Sequence, residues 1–177
     1  MTPTRLQLQR WQALASEQQQ SVLALHIPPE QIEFAGTMAQ AVAVGEGASP
    51  DEVAGLAVFQ TEVPVGFVVL CRGSRLPEWA PTGAVALRAM RIDSREQGKG
   101  HGRHALALVE AWLAEHWPVC PLLALCVDDQ NLAARRAYEV AGFTEYTESE
   151  AGRIGLVRYL AKPLAVVARH SSNVRAG

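Results

Sequence analysis

Cysteine is scarce in this chain and irregularly placed. Its 177 residues hold three, Cys71, Cys120 and Cys126, an odd number without C-x-x-C spacing, so neither a disulfide framework nor a zinc site is expected. No run of Lys or Arg forms a basic stripe and the formal net charge is −2, so a nucleic-acid partner is not expected. No apolar run reaches membrane-spanning length and Met1 to Arg10 lacks an apolar h-region. Neither a membrane partner nor a signal peptide is therefore expected, and the cytoplasm is the default location. Internal repeats and low-complexity segments are also missing. What remains is 49% apolar and 19% charged, the balance of a globular protein with one sizeable core. Residues 1–162 are expected to form a single domain and 163–177 a frayed tail.

Taken in order, Arg5 to Leu8 alternates as a short strand would. Trp11 to Leu25 predicts a helix stopped by Pro28-Pro29, with Pro29 suited to the first position of the next helix. Ile32, Ala35, Ala39 and Val42 recur at helical spacing. Val53 to Gln60 and Val63 to Leu70 predict a hairpin turning at Thr61-Glu62, and Ala84 to Ile92 a third strand. In that strand strict alternation sets Val85, Leu87, Ala89 and Arg91 against Ala86, Arg88, Met90 and Ile92. Ala105 to Trp117 is an amphipathic helix and Leu122 to Val127 a buried strand. A helix follows from Asn131, with Gly142 at its C′ position. Phe143 to Ser149 and Arg153 to Leu160 close the chain as strands, with Glu150-Ala151-Gly152 as their turn. An antiparallel block followed by a βαβ unit predicts an α/β (α+β) fold, a mixed sheet with helices on both faces.

The chemistry gathers at Gln97-Gly98-Lys99-Gly100-His101-Gly102-Arg103, between a strand and a helix. Glycines let the backbone take φ > 0 and approach a ligand closely, and a helix start offers unpartnered N–H groups with partial positive charge. A phosphate fits such a place, with Lys99 and Arg103 adding charge. A P-loop is excluded, because no Gly precedes a Gly-Lys-Ser/Thr run at the required distance. Gly100 to Ala105 reads G-x-G-x-x-A, with Asp128 further on, which half matches a dinucleotide fingerprint. Gln97, Gly100 and Gly102 also read Q-x-x-G-x-G. Taken alone, the loop fits a plain helix entry as well.

Some thirty residues on, Asn131 to Phe143 reads N-x-x-A-x-x-x-Y-x-x-x-G-F. Asn131, Ala134 and Tyr138 share a helix face. Alone, that face could simply pack, with Asn131 as a cap and Tyr138 as a core aromatic. Together with Q-x-x-G-x-G, the pair resembles the GNAT superfamily of acyl-CoA N-acyltransferases, from about Val63 to Leu160.

The resemblance implies a mostly antiparallel sheet with one splayed parallel pair that holds acetyl-CoA as co-substrate. It implies that backbone N–H groups of Gln97, Gly98, Lys99, Gly100, His101, Gly102 and Arg103 hold the pyrophosphate. The backbone of Met90, Arg91 and Ile92 would pair with the pantetheine arm, and Asn131 and Ala134 would line its other side. Tyr138 would be the catalytic proton donor to the leaving thiolate, since a phenol near pKa ~10 is protonated at neutral pH. The product of such a site is an N-acetylated primary amine, on a small molecule or a peptide; no metal is needed, and a homodimer is open. By residue type Glu33, Glu62, Asp93 and Glu150 are the candidate bases, and each also reads as a surface carboxylate. His101 and His104 are assigned to phosphate proximity or solvent, and Cys126 to a small buried position.

Pro29-Glu30-Gln31 with Phe34, Pro64 to Phe67, and Met90 to Asp93 further resemble bacterial polyamine and diamine acetyltransferases. Ala41-Val42 and Gly152-Arg153 depart from that pattern. An arginine at 153 would repel a polyamine, so the acceptor class stays open. A non-catalytic acyl-CoA sensor module and a nucleotide-binding domain are the alternatives.

Overall fold

The strands at the centre of the chain are apolar at nearly every position because both faces of their sheet are covered. The structure, a computed structural model, describes residues 5–165; the expected tail beyond 165 lies outside the described residues. The elements run β1 (Leu6–Arg10), α1 (Ser16–Leu23), α2 (Pro29–Ala35), α3 (Met38–Ala43), β2 (Val53–Gln60), β3 (Val63–Cys71) and β4 (Val85–Ile92). They continue through α4 (His101–His116), β5 (Leu122–Asp128), α5 (Leu132–Val140), β6 (Thr144–Glu145), β7 (Glu150–Ala151) and β8 (Leu156–Pro163). One sheet takes the order β1-β2-β3-β4-β5-β8-β6, with β7 also on β8. Only β4 and β5 run parallel, so the expected mixed, mostly antiparallel sheet is what forms.

The two faces follow the strand alternation. Leu56, Val68, Leu70, Leu87 and Leu123 pack beneath Leu106, Val109 and Trp112 of α4, with Tyr138 of α5 at the margin. On the other face Ala57, Phe59, Phe67 and Val69 meet Val22 of α1 and Met38 and Ala41 of α3. Among the described residues no helix is long and apolar enough to cross a membrane.

Several expected elements break in two or shift. The Trp11–Leu25 helix is a 3₁₀ turn, Trp11–Ala13, followed by α1, whose Gln18 side chain accepts from the Ala15 N–H at 3.0 Å. Pro29 does open α2, but the helical spacing through Val42 conceals a corner: Gly36 at φ 76° ends α2. Thr37 and Gln40 then form a capping box, with bonds of 3.2 and 2.8 Å, that starts α3. The strand expected from Phe143 shortens to β6. Glu150–Ala151 is strand rather than turn, and the chain reverses between Gly152 and Gly155.

The correction with the greatest consequence lies in β4. Phe67 pairs with Arg91 and Val69 with Arg88, so two residues, Ala89 and Met90, face one on β3. Ala89 sits at φ 54°, a β-bulge. The extra residue inverts the alternation: Val85 and Leu87 point to the α4 side before it and Met90 after it, while Arg91 turns to the α1–α3 side. On its other edge β4 pairs with β5 only through Val85↔Leu123 and Ala86↔Ala124, and the strands then part.

The end of β4 is tied down by Asp93, 2% exposed. Its carboxylate accepts from the His26 N–H at 2.9 Å, the Arg95 N–H at 2.9 Å and the Arg95 guanidinium at 2.8 and 2.6 Å. The Arg95 bond foremost, with those N–H groups, holds this carboxyl well below the usual carboxylate range. Asp93→Ala strands these donors and should lower stability by about 1–3 kcal/mol in a urea titration. Because the folded pKa is depressed, the wild-type advantage is complete above pH ~4 and fades as pH falls toward the folded value, so the two urea midpoints should converge in acid.

Candidate active site

The parting of β4 and β5 opens a cleft. A hollow of about 450 Å³ lies between Leu87–Met90 on one side and Cys126–Asp128 on the other, roofed by Phe34 to Gly36 and floored by Tyr138. A second, of about 430 Å³, runs from Met90–Ile92 to the glycine loop. The two share Phe34, Ala35, Met90, Asn131 and Ala134, so they form one continuous groove along the edge that β4 turns away from β5.

The loop is shaped by its glycines. Gly98 and Gly100 hold φ of 74° and 82°, and a Cβ on either would meet nothing within 4 Å, so the backbone faces open space. Gly100 caps α4, whose first turn includes His101, Gly102 and Arg103. Their N–H groups precede the first i→i−4 bond, from His104 to the Gly100 carbonyl at 3.1 Å, and so are free for an anion. Gln97 serves structure: its Nε2 donates to the Ile92 carbonyl at 2.9 Å and to Gln31 at 3.0 Å. Lys99 stands apart. Its ammonium pairs with Glu96 at 3.0 Å, and it does not line the groove as Gln97, Gly98, Gly100, His101, Gly102 and Arg103 do.

Tyr138 is placed by the end of its helix. The Phe143 N–H donates to the Tyr138 carbonyl and the Gly142 N–H to the Glu139 carbonyl, both at 3.0 Å, with Gly142 at φ 94°. This is a Schellman motif, and the Tyr138 and Phe143 rings meet edge-on at 5.7 Å. The Y-x-x-x-G-F spacing is thus a device that sets one phenol against the groove. Burial pushes its pKa up to about 12. At the other end of α5, the Asn131 side chain accepts from the Ala134 N–H at 3.3 Å, so Asn131 caps the helix and lines the groove at once.

Residues 11–143 match the model of the acetyltransferase (GNAT) family. The chain belongs to this family. It is 25% identical over 100 residues to the uncharacterized N-acetyltransferase YbbJ of Bacillus subtilis (strain 168), a match covering 55% of this chain and 62% of that protein. Aminoglycoside acetyltransferase AAC(6')-Ib, solved with ribostamycin and coenzyme A, shares the fold with a TM-score of 0.69. That likeness covers 95% of this chain and 98% of the other at 15% identity. A GNAT acetyltransferase from Streptococcus pneumoniae superposes with a TM-score of 0.62, covering 91% of this chain and 100% of its own at 17% identity.

In this GNAT chain several groove residues carry no signal in the sequence. Cys126, expected to be buried, is exposed on the cleft wall because β5 has lost its neighbour there. Of the acids considered as bases, Asp93 is consumed in its ion pair, Glu150 accepts from the Tyr159 hydroxyl at 3.1 Å, and Glu62 lies at the β2–β3 turn; only Glu33 borders the cleft. Asp128, which in sequence stands out only beside the dinucleotide fingerprint, lines it directly.

Arg91 contributes a side chain as well as backbone. Only 3% exposed, its guanidinium donates to the carbonyls of Ala35, Gly36 and Ala89. It ties the α2–α3 corner, which roofs the cleft, to the bulge. Burial lowers its pKa to about 10, so it stays charged at neutral pH. Arg91→Met would leave three carbonyls without their donor. It should lower stability by about 1–3 kcal/mol by urea unfolding, with Arg91→Lys recovering part of the loss.

Proposed function

We propose that this chain transfers the acetyl group of acetyl-CoA to a primary amine of a small molecule, by direct attack within a ternary complex. The observation that carries the reading is the single groove from the Gly98–Gly102 turn to Tyr138 along the free edge of β4. Backbone N–H groups between Gln97 and Arg103 would hold the pyrophosphate, with Arg103 adding charge and Lys99 acting only at a distance. Met90, Arg91 and Ile92 would pair with the pantetheine amides as a strand pairs with an edge. Asn131 and Ala134 would close the other side. A small-molecule acceptor is supported by AAC(6')-Ib, which shares the fold and is seen with an aminoglycoside. Cys71, Cys120 and Cys126 are all free, which suits the reducing cytoplasm.

The amine must attack as the free base, so an ammonium first gives up one proton. Its lone pair forms the C–N bond to the thioester carbon, and the carbonyl π pair moves to oxygen. A backbone N–H at the Met90 bulge stabilises that oxyanion without reorganising. Collapse breaks the C–S bond, and Tyr138 gives its proton to sulfur. The new amide nitrogen sheds its extra proton to water, and water reprotonates the phenolate. Ammonium and thioester thus become amide, thiol and one released proton. With its pKa pushed up to about 12, Tyr138 stays protonated through the neutral range.

Acetyl-CoA at ~100 times its dissociation constant should add about 2.7 kcal/mol of stability in a melting scan, and NAD should add none. Gly100→Val, at a φ of 82° with open space around it, should still fold, at some cost in stability because a branched side chain resists this φ, yet lose the acetyl-CoA stabilisation because its Cβ blocks the anion. A shift with NAD alone, or full acetyl-CoA binding by Gly100→Val, would remove the loop from the site.

Tyr138→Phe should keep acetyl-CoA affinity and lower kcat by about 10²–10⁴-fold, the usual worth of a positioned proton donor. Turnover at saturating acetyl-CoA, with chemistry shown to be rate-limiting, measures it. An unchanged kcat would remove Tyr138 from the mechanism and leave it a core aromatic.

A further inference from the structure

The cleft does not end at Tyr138. A third hollow, of about 260 Å³, shares Phe34, Cys126, Val127 and Asp128 with the catalytic one and includes no residue of the glycine loop. An acceptor amine meeting the acetyl group from opposite the cofactor arm would pass here. Asp128 is the one carboxylate lining both hollows. Its neighbour Asp129 is occupied by Arg135 and Arg158. No side-chain hydrogen bond among the described residues engages the Asp128 carboxylate.

The same walls carry cations. Arg153, in the turn between β7 and β8, borders the third hollow and donates one guanidinium N–H to the Glu33 carbonyl, which brings that turn over to α2. Its remaining donors are available. Arg88, the last residue of β4 before the bulge, lines the catalytic hollow beside Cys126. Across both hollows the charged groups are therefore Asp128 and Glu33 against Arg88 and Arg153. A polycation would meet two arginines here, and a plain anion two carboxylates.

Building on the acetyl-CoA-dependent reading above, we infer that the acceptor is a zwitterion, an amine that also bears a carboxylate. Asp128 receives its ammonium and takes the proton, and Arg153 with Arg88 holds its carboxylate. The surroundings of Asp128 suit a proton acceptor. Partial burial raises its carboxyl above the ordinary value, and the Arg153 charge pulls it part of the way back. The proton leaves nitrogen for the Asp128 oxygen before attack, freeing the lone pair that forms the C–N bond, and Asp128 returns it to water afterwards.

The test uses the full chain at saturating acetyl-CoA, with free thiol as readout. The acceptors are the common amino acids, their carboxamides and linear diamines. An amino acid should exceed its own carboxamide by about tenfold or more in kcat/KM, the ratio one charge-assisted hydrogen bond supports. Arg153 is exposed, so its variants keep the core. R153Q should bring the acid-to-amide ratio toward one, and R153E should favour the diamine. D128N should lower kcat on every acceptor while calorimetry still reports acetyl-CoA binding, with D128E recovering part of the rate. A wild-type preference for diamines or carboxamides, turnover of no zwitterion, a ratio untouched by R153Q, or D128N at full rate would each overturn the inference. Loss of acetyl-CoA binding by the wild-type chain would instead bring down the reading on which it rests.

Discussion

The site depends on β4 losing its partner after Ala86. A parallel pair that stayed zipped from Val85 to Ile92 would leave no cleft between Met90 and Val127. Two features keep the strands apart. The bulge at Ala89 spends an extra residue and bends β4, and the buried Arg91 fastens the bulge carbonyl to the α2–α3 corner. An unpaired strand edge in the middle of a sheet is ordinarily a liability. Here it is walled by α5 and the Phe34–Gly36 corner, so only a ligand lying along the cleft can use it.

Around that edge, helix ends do the positioning. Gly100 in the left-handed region starts α4 with its first N–H groups toward the groove. The Schellman motif at Gly142 ends α5 with Tyr138 and Phe143 in contact. Asn131 starts α5 and faces the groove from its cap. Helix ends have unpaired backbone groups and a defined direction. A site built from three of them gains donors and geometry without extra side chains. The formal charges of the loop matter less than their number suggests, since Glu96 takes up Lys99 and borders His101.

Two aspartates near the cleft show how surroundings divide one residue type. Asp93 accepts bonds from two backbone N–H groups and a guanidinium, is held ionised, and serves only the fold. Asp128 is half-buried with no guanidinium bonded to it and only its own backbone N–H nearby, and burial raises its pKa. Ranking acids by type could not separate them, because the difference lies in donors arriving from His26 and Arg95 to the one and from no described side chain to the other.

The sequence by itself determined the parts whose causes are local. The Gly98–Gly102 turn, the amphipathic stripe of α4, the β2–β3 hairpin and the N-x-x-A-x-x-x-Y-x-x-x-G-F helix all act within four or five residues, so their spacing was legible. The corner at Gly36 was not read, because the helical recurrence of Ile32, Ala35, Ala39 and Val42 ran through the Gly and the Thr-x-x-Gln capping box that make it. Only the tertiary structure decided the bulge. An alanine at φ 54° is against its own preference, and it is held there by the register of β4 on β3 and by an arginine bonded across 55 residues to Gly36. The same holds for the union of Arg88, Asp128 and Arg153 on one cleft. Charges on separate elements carry no mutual signal in sequence, because nothing but the packing of β4, β5 and the β7–β8 turn sets the distance between them.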